Sequence, residues 1–155
     1  MTAAITVRHA AMADLPALLP LLDQLREQSS DPDRPGEQLT PSHEAALAEI
    51  LGSPYLTVLI AEVDGGIGGT CALAFLPNIN HKAQPYCILE NMVVDQDLRG
   101  SGVGHALVER AVELAREKGC YKLSLTSNLK RAEAHRFYES AGLNHSHKGF
   151  TIYLD

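Results

Sequence analysis

The sequence predicts an α/β protein of the α+β kind, with a mixed, mostly antiparallel central sheet of about seven strands and about four flanking helices. Three observations predict it. Strand-like segments outnumber helix-like ones. The early strands meet at a tight Asp64-Gly65 turn, which pairs neighbours antiparallel. The later strands are separated by helical stretches, which permit parallel neighbours and lay helices on both faces. A length of 155 residues suits one domain, taken as residues 1–155.

Ile5-Thr6-Val7-Arg8-His9 alternates and reads as the first strand. Met12 to Glu27 follows as a helix with Leu15, Leu18, Leu19, Leu22 and Leu25 on one face; Pro16 suits its first turn, and Pro20 implies a kink or break. Ser29 to Thr40, with Pro32, Pro35 and Gly36, reads as a mobile loop. Pro41 to Leu51 is a second helix, opened by Thr40 as N-cap and closed at Gly52. Tyr55 to Glu62 and Ile67 to Leu76 form the hairpin around Asp64-Gly65, and Pro77 to Gln84 is a loop. Ile88 to Val94 is a buried strand and Val103 to Lys118 an amphipathic helix, with Val103, Leu107, Ala111, Leu114 and Ala115 as its apolar stripe and Gly119 past its end. Tyr121 to Thr126 alternates as a strand, Arg131 to Ala141 is a helix, and Leu143 to His147 with Gly149 to Leu154 makes a closing hairpin.

Composition bounds the function. A net charge of −6 and a pI near 5.6 argue against non-specific nucleic-acid binding. The cysteines Cys71, Cys87 and Cys120 stand in apolar contexts without metal-ligand spacing and read as reduced, buried thiols. No apolar run has transmembrane length and no signal peptide is evident, so the expectation is a cytoplasmic protein without a membrane partner. The seven histidines show no zinc spacing and are assigned to the surface or to a binding pocket, with no metal expected.

The chemistry-bearing stretch is Arg99-Gly100-Ser101-Gly102-Val103-Gly104, between a strand and a helix. Free N–H groups in the first helical turn, the positive end of the helix dipole, glycines without Cβ and the Arg99 cation together favour a phosphate or pyrophosphate. One anion at a helix end gains about 0.3–1 kcal/mol, up to about 2 when partly buried, so the rest of the ligand must add contacts.

This stretch resembles the GNAT superfamily of acetyl-CoA-dependent N-acyltransferases, whose signature Gln/Arg-x-x-Gly-x-Gly/Ala is matched by Arg99, Gly102 and Gly104. A second segment, Ala134-His135-Arg136-Phe137-Tyr138-Glu139-Ser140-Ala141-Gly142-Leu143, resembles the family's Ala-x-x-Phe-Tyr-Glu-x-x-Gly-Phe. The resemblance is strongest over about residues 55–155, and Ser127 to Tyr138 resembles members that acetylate small amines, aminoalkylphosphonates among them. It implies acetyl-CoA as cosubstrate, a small-molecule amine as acceptor and, since dimers are common in the family, a homodimer. It also implies that the strands before and after the glycine turn splay apart, so that the backbone of Met92, Val93 and Val94 takes the pantetheine arm as an added strand. Ser101, Val103 and His105 complete the turn that holds the phosphates. Many members carry an asparagine seven residues before the tyrosine. Here that position is Arg131, which leaves Asn128, at the end of the preceding strand, for the cofactor, or Arg131 for the adenosine phosphates.

Acetylating an amine requires removing its proton and protonating the departing thiolate. A lysine-like amine, with a pKa near 10.4, costs roughly 4–5 kcal/mol to present neutral at pH 7. Glu90 is the candidate base, placed where several relatives have a glutamate; its neighbours Ile88, Leu89, Met92 and Val93 make an apolar setting that would raise its pKa. Tyr138 is the candidate acid and Phe137 its core-packing neighbour. Two competing readings are a non-catalytic acyl-CoA-binding module of the same fold and a nucleotide-binding protein. Against the latter, no Lys-Ser/Thr follows the glycines, and the motif lies two-thirds along the chain instead of after the first strand.

Overall fold

The computed structural model describes residues 3–28, 33 and 35–154. Five strands form one sheet in chain order: β1 (Ile5–His9), β2 (Leu56–Val63), β3 (Gly66–Leu76), β4 (Tyr86–Val94) and β5 (Leu123–Ser124). β1 to β4 run antiparallel, and β5 lies parallel to β4. The helices are α1 (Leu15–Asp23), α2 (Pro41–Gly52), α3 (Val103–Glu117) and α4 (Ala132–Ser140). Asp64 and Gly65, at φ 50° and 81°, make the expected two-residue turn between β2 and β3.

The strand alternation of β2 sorts its side chains between two cores. Leu59, Ala61 and Val63 pack with the α3 stripe Val103, Leu107, Ala111, Leu114 and Ala115, and Ile60 packs on the other face with Ala10 and Leu18. α3 approaches β3 at Gly69, where a Cβ would stand 2.9 Å from Val103 Cγ1 and 3.1 Å from Leu107 Cδ1. On the opposite face, Arg8 ties β1 to β2 and to the start of α1. Its guanidinium donates to both Asp14 carboxylate oxygens at 2.8 Å and to Glu62 at 2.9 Å. The hydrogen bonds from Arg8 hold the Asp14 carboxyl below its ordinary pKa.

The mixed, mostly antiparallel sheet with helices on both faces is the predicted class, but it has five strands instead of about seven. The closing hairpin does not form: residues 143–154 contain no strand, and Phe150, Ile152, Tyr153 and Leu154 are exposed. β5 is two residues long where Tyr121 to Thr126 was expected. The first helix is a 3-10 turn at Met12–Asp14, α1, and a second 3-10 turn at Gln24–Gln28. Pro20 sits inside α1, and the break falls after Asp23. Of the predicted loop, residues 29–32 and 34 lie outside the described residues. In the 77–84 loop, Asn80–Ala83 makes a single left-handed turn whose His81 ring stacks on Tyr121 at 3.9 Å.

Cys71 and Cys87 are buried and Cys120 is half-buried. Burial pushes the Cys71 and Cys87 thiols up to about 12, and that of Cys120 rises for the same reason. Thiolate is the reactive form. In native protein at pH 8, a disulfide reagent is expected to titrate at most the Cys120 thiol on the minutes scale, and all three thiols in denaturant. Rapid native reaction of two or three thiols would contradict this core.

Candidate active site

β4 and β5 share a ladder only at Cys87–Leu123 and Ile88–Ser124. Beyond Ile88 the edge of β4 that faces β5 is free, so the expected splay is present. Its cause is visible in β4. Thr70 pairs with Val93 and Ala72 with Glu90, leaving Cys71 opposite the two residues Asn91 and Met92. Asn91 takes the left-handed conformation, φ 52°, at this bulge. Cys87 and Leu89 point into the α3 core, and the extra residue shifts the phase so that Met92, not Asn91, follows them there. Glu90 and Asn91 are both exposed at the mouth of the gap.

The gap is a cleft of about 210 Å³. β4 contributes Leu89, Glu90, Asn91 and Met92, while the chain after β5 contributes Leu125 to Asn128. Arg131 and Tyr138 come from the start and the last turn of α4, Leu25 from the turn after α1, and Tyr153 from the tail. Tyr138 is 8% exposed, and its hydroxyl makes no hydrogen bond among the described residues. Burial raises its pKa above the ordinary value near 10; the Arg131 charge opposes the rise, and Cys71 and Glu90 add to it. Glu90 lies in the cleft with Tyr138 as expected, but its side chain is exposed, because alternation turns its apolar neighbours away from it.

At the far end of the gap, Asp95 caps a short turn (Gln96–Leu98) by accepting from the Asp97 N–H at 2.9 Å. Gly100 and Gly102 have φ 79° and 95°, and a Cβ on Gly100 would meet nothing within 4 Å. This is an open turn leading to the unbonded first-turn N–H groups of α3, with no side-chain cap over them. Arg99 is exposed and has no ion pair among the described residues. Gly104 serves helix packing instead, since a Cβ there would stand 2.8 Å from Phe137 Cζ. His105 packs edge-on against Phe137 at 4.9 Å and meets Ser140 Oγ at 3.2 Å, so its side chain joins α3 to α4.

Asn128 lines the cleft but spends its Oδ1 on the Lys130 N–H at 2.9 Å. Two cleft residues escaped the sequence reading. Asn91 had a legible signal, an asparagine inside an apolar strand run, since asparagine tolerates positive φ. Ser127, whose Oγ is buried without a hydrogen-bond partner, had none. The 77–84 loop lies at the other end of β4. There it borders a groove of about 340 Å³ with Pro54, Tyr55, Phe75 and Lys118. The Lys118 ammonium there is engaged by the Pro54 carbonyl at 3.3 Å and the Phe75 ring. Among the described residues, no group of three or more His, Cys, Asp or Glu side chains is placed to hold a metal, and no helix is long and apolar enough to cross a membrane.

A splayed sheet edge beside a helix N-terminus, with a buried phenol in the gap, defines an acyl-transfer enzyme. The chain belongs to the GNAT acetyltransferase family, which matches residues 22–143. It is similar to the aminoalkylphosphonate N-acetyltransferase of Salmonella typhimurium, 28% identical over 94% of this chain and 88% of that one. It is also similar to the glucosamine 6-phosphate N-acetyltransferase of Trypanosoma brucei, 37% identical over 50% of this chain; the match spans only 51% of that enzyme. A solved Agrobacterium tumefaciens protein assigned as an acetyltransferase superposes with a TM-score of 0.86 at 35% identity, covering 96% of this chain and 99% of that one.

Gly104→Ala is expected to destabilise the fold by about 1–2 kcal/mol, because overpacking against Phe137 outweighs the helix-propensity gain of at most about 1 kcal/mol. Chemical denaturation checks it, and Phe137→Leu in the same chain should recover part of the loss. A stabilised Gly104→Ala protein would mean that the Phe137 ring moves freely.

Proposed function

We propose that the protein is an acetyl-CoA-dependent N-acetyltransferase that acetylates a primary amine of a small molecule by direct transfer in a ternary complex, with residues 1–155 as one catalytic domain. The observation that carries this reading is the placement of Glu90 and Tyr138 on one cleft, at the end of a gap that runs to the glycine turn. The amine-acetylating relatives support the acceptor class.

Acetyl-CoA supplies the acetyl group as a thioester. The N–H groups of Gly102, Val103, Gly104 and His105, with Gly100, Ser101 and the Arg99 cation, hold its pyrophosphate. The unpaired edge of Met92, Val93 and Val94 takes the pantetheine amides as a neighbouring strand would. The amide NH2 of Asn128, its Oδ1 already engaged, offers a further contact to the arm. The Glu90 carboxylate, accessible to water, accepts the proton of the acceptor ammonium directly or through water, which frees the nitrogen lone pair to attack the thioester carbonyl. As the C–S bond breaks, the Tyr138 hydroxyl gives its proton to the departing sulfur, and the extra proton on the acylated nitrogen passes to the phenolate, leaving the amide, the free thiol and a neutral tyrosine. Its raised pKa keeps it protonated throughout the neutral range, so the acid form is always at hand.

The test is thiol release from acetyl-CoA over a panel of amines, with calorimetric coenzyme A binding alongside. Release with one class of amine supports the reading; coenzyme A binding without release from any amine favours the binding module, and no binding defeats both. Tyr138→Phe is expected to lower kcat about a hundredfold or more, within the usual range for acid–base groups, while the acetyl-CoA KM moves less than about threefold. Equal losses would remove the acid role. Glu90→Gln should flatten the rising limb of the kcat/KM–pH profile, and wild-type kcat should show no descending limb below about pH 10 that disappears in Tyr138→Phe.

A further inference from the structure

The cleft holds two ionic side chains of opposite sign, Glu90 on β4 and Arg131 at the start of α4. Arg131 is half-buried and has no ion pair or side-chain hydrogen bond among the described residues, whereas Arg8 and Arg110 are fully engaged with carboxylates. A partly buried guanidinium beside a phenol is costly to leave without an anion. Ser127 also borders this cleft, with its Oγ buried beneath the surface and without a partner. The Arg131 N–H donates to the Asn128 carbonyl at 3.0 Å, and that carbonyl also meets His135 Nε2 at 2.9 Å, so the 127–131 turn is fixed before any ligand arrives.

Arg131 is not part of the phosphate-binding turn. Phe137 against Gly104, and Ser140 against His105, put the last turns of α4 over that turn. Arg131 lies nine residues before Ser140, which is about 13 Å along a helix at 1.5 Å per residue. The anion it serves therefore belongs to what occupies the cleft between Glu90 and Tyr138.

We infer that the acceptor is a small zwitterion: an amine that also carries an anionic phosphonate, phosphate or carboxylate group, gripped by Arg131 while Glu90 takes the ammonium end. The inference rests on the transferase reading above. Arg131 is the specificity residue because a guanidinium matches the oxygens of such groups in a two-pronged contact.

The experiment compares kcat/KM for matched pairs of amines: 2-aminoethylphosphonate and β-alanine against propylamine, and glucosamine 6-phosphate against glucosamine. At least one anionic member should exceed its neutral counterpart by about ten- to a hundredfold, the range of charge-assisted hydrogen bonds. Which pair shows the larger ratio distinguishes phosphorus anions from carboxylate. Arg131→Gln should erode that preference about tenfold or more and Arg131→Lys should retain part of it, while the acetyl-CoA KM of each variant stays within about threefold of wild type. Neutral members used as well as anionic ones, with coenzyme A binding intact, would overturn the inference and leave the transferase standing. A rise in acetyl-CoA KM in Arg131→Gln that matches its loss on the acceptor would also overturn it, by assigning Arg131 to the cosubstrate. Failure to bind coenzyme A would defeat the transferase reading itself.

Discussion

The site depends on a single interruption of β-pairing. β4 and β5 meet for two residue pairs and then part, and the left-handed Asn91 marks where β4 changes its course against β3. An unpaired strand edge is tolerable only where water or a ligand can satisfy its N–H and C=O groups, because a buried orphan costs about 1–3 kcal/mol. The parting does not propagate into the rest of the sheet, because β3 pairs with β4 through to Val94 and the α3 stripe packs across β1 to β4. The gap is a local fault held open by a continuous core.

That core also explains the division of labour among the glycines. Gly100 and Gly102 take positive φ at an open turn where a ligand can approach the backbone, Gly69 lets α3 lie close on β3, and Gly104 lets Phe137 seat between the two helices. Seating Phe137 fixes the rotation of α4, and that rotation turns the adjacent Tyr138 into the gap. Glycine turn and cleft phenol are thereby linked through packing: the residue after a core anchor on a helix points about 100° away from it.

Much of this was legible. The Asp64-Gly65 turn, the apolar stripe of α3 and the glycine turn all follow from local rules that pairing partners do not change, while the contrast between Phe137 and Tyr138 is implied by the resemblance of that segment to the family's. The failures share a cause. Tyr-Lys-Leu-Ser-Leu-Thr at 121–126 alternates as a strand whether or not a neighbour runs alongside, and the splay leaves most of it without one. The apolar, β-branched tail reads as a hairpin for the same reason and finds no ladder. The apolar run around Glu90 suggested a buried carboxylate, but on a bulged strand two consecutive side chains leave the core, and a bulge is a property of two strands that one of them cannot display alone.

The charges in the cleft bear on one another through Tyr138. Burial sets the phenol's proton affinity, and the two ionic residues pull it in opposite directions, Glu90 upward and Arg131 downward. Burial is the largest of these influences, so the phenol keeps its proton even where the Glu90 charge is neutralised. An anionic group beside Arg131 cancels the downward pull. A ligand carrying both charges thus neutralises the cleft while leaving the phenol to its burial, protonated and able to donate. A purely cationic amine would leave a guanidinium unanswered next to the group that must hold the proton. Charge balance across the cleft, not the protonation of the phenol, is what bears on the charge of its occupant.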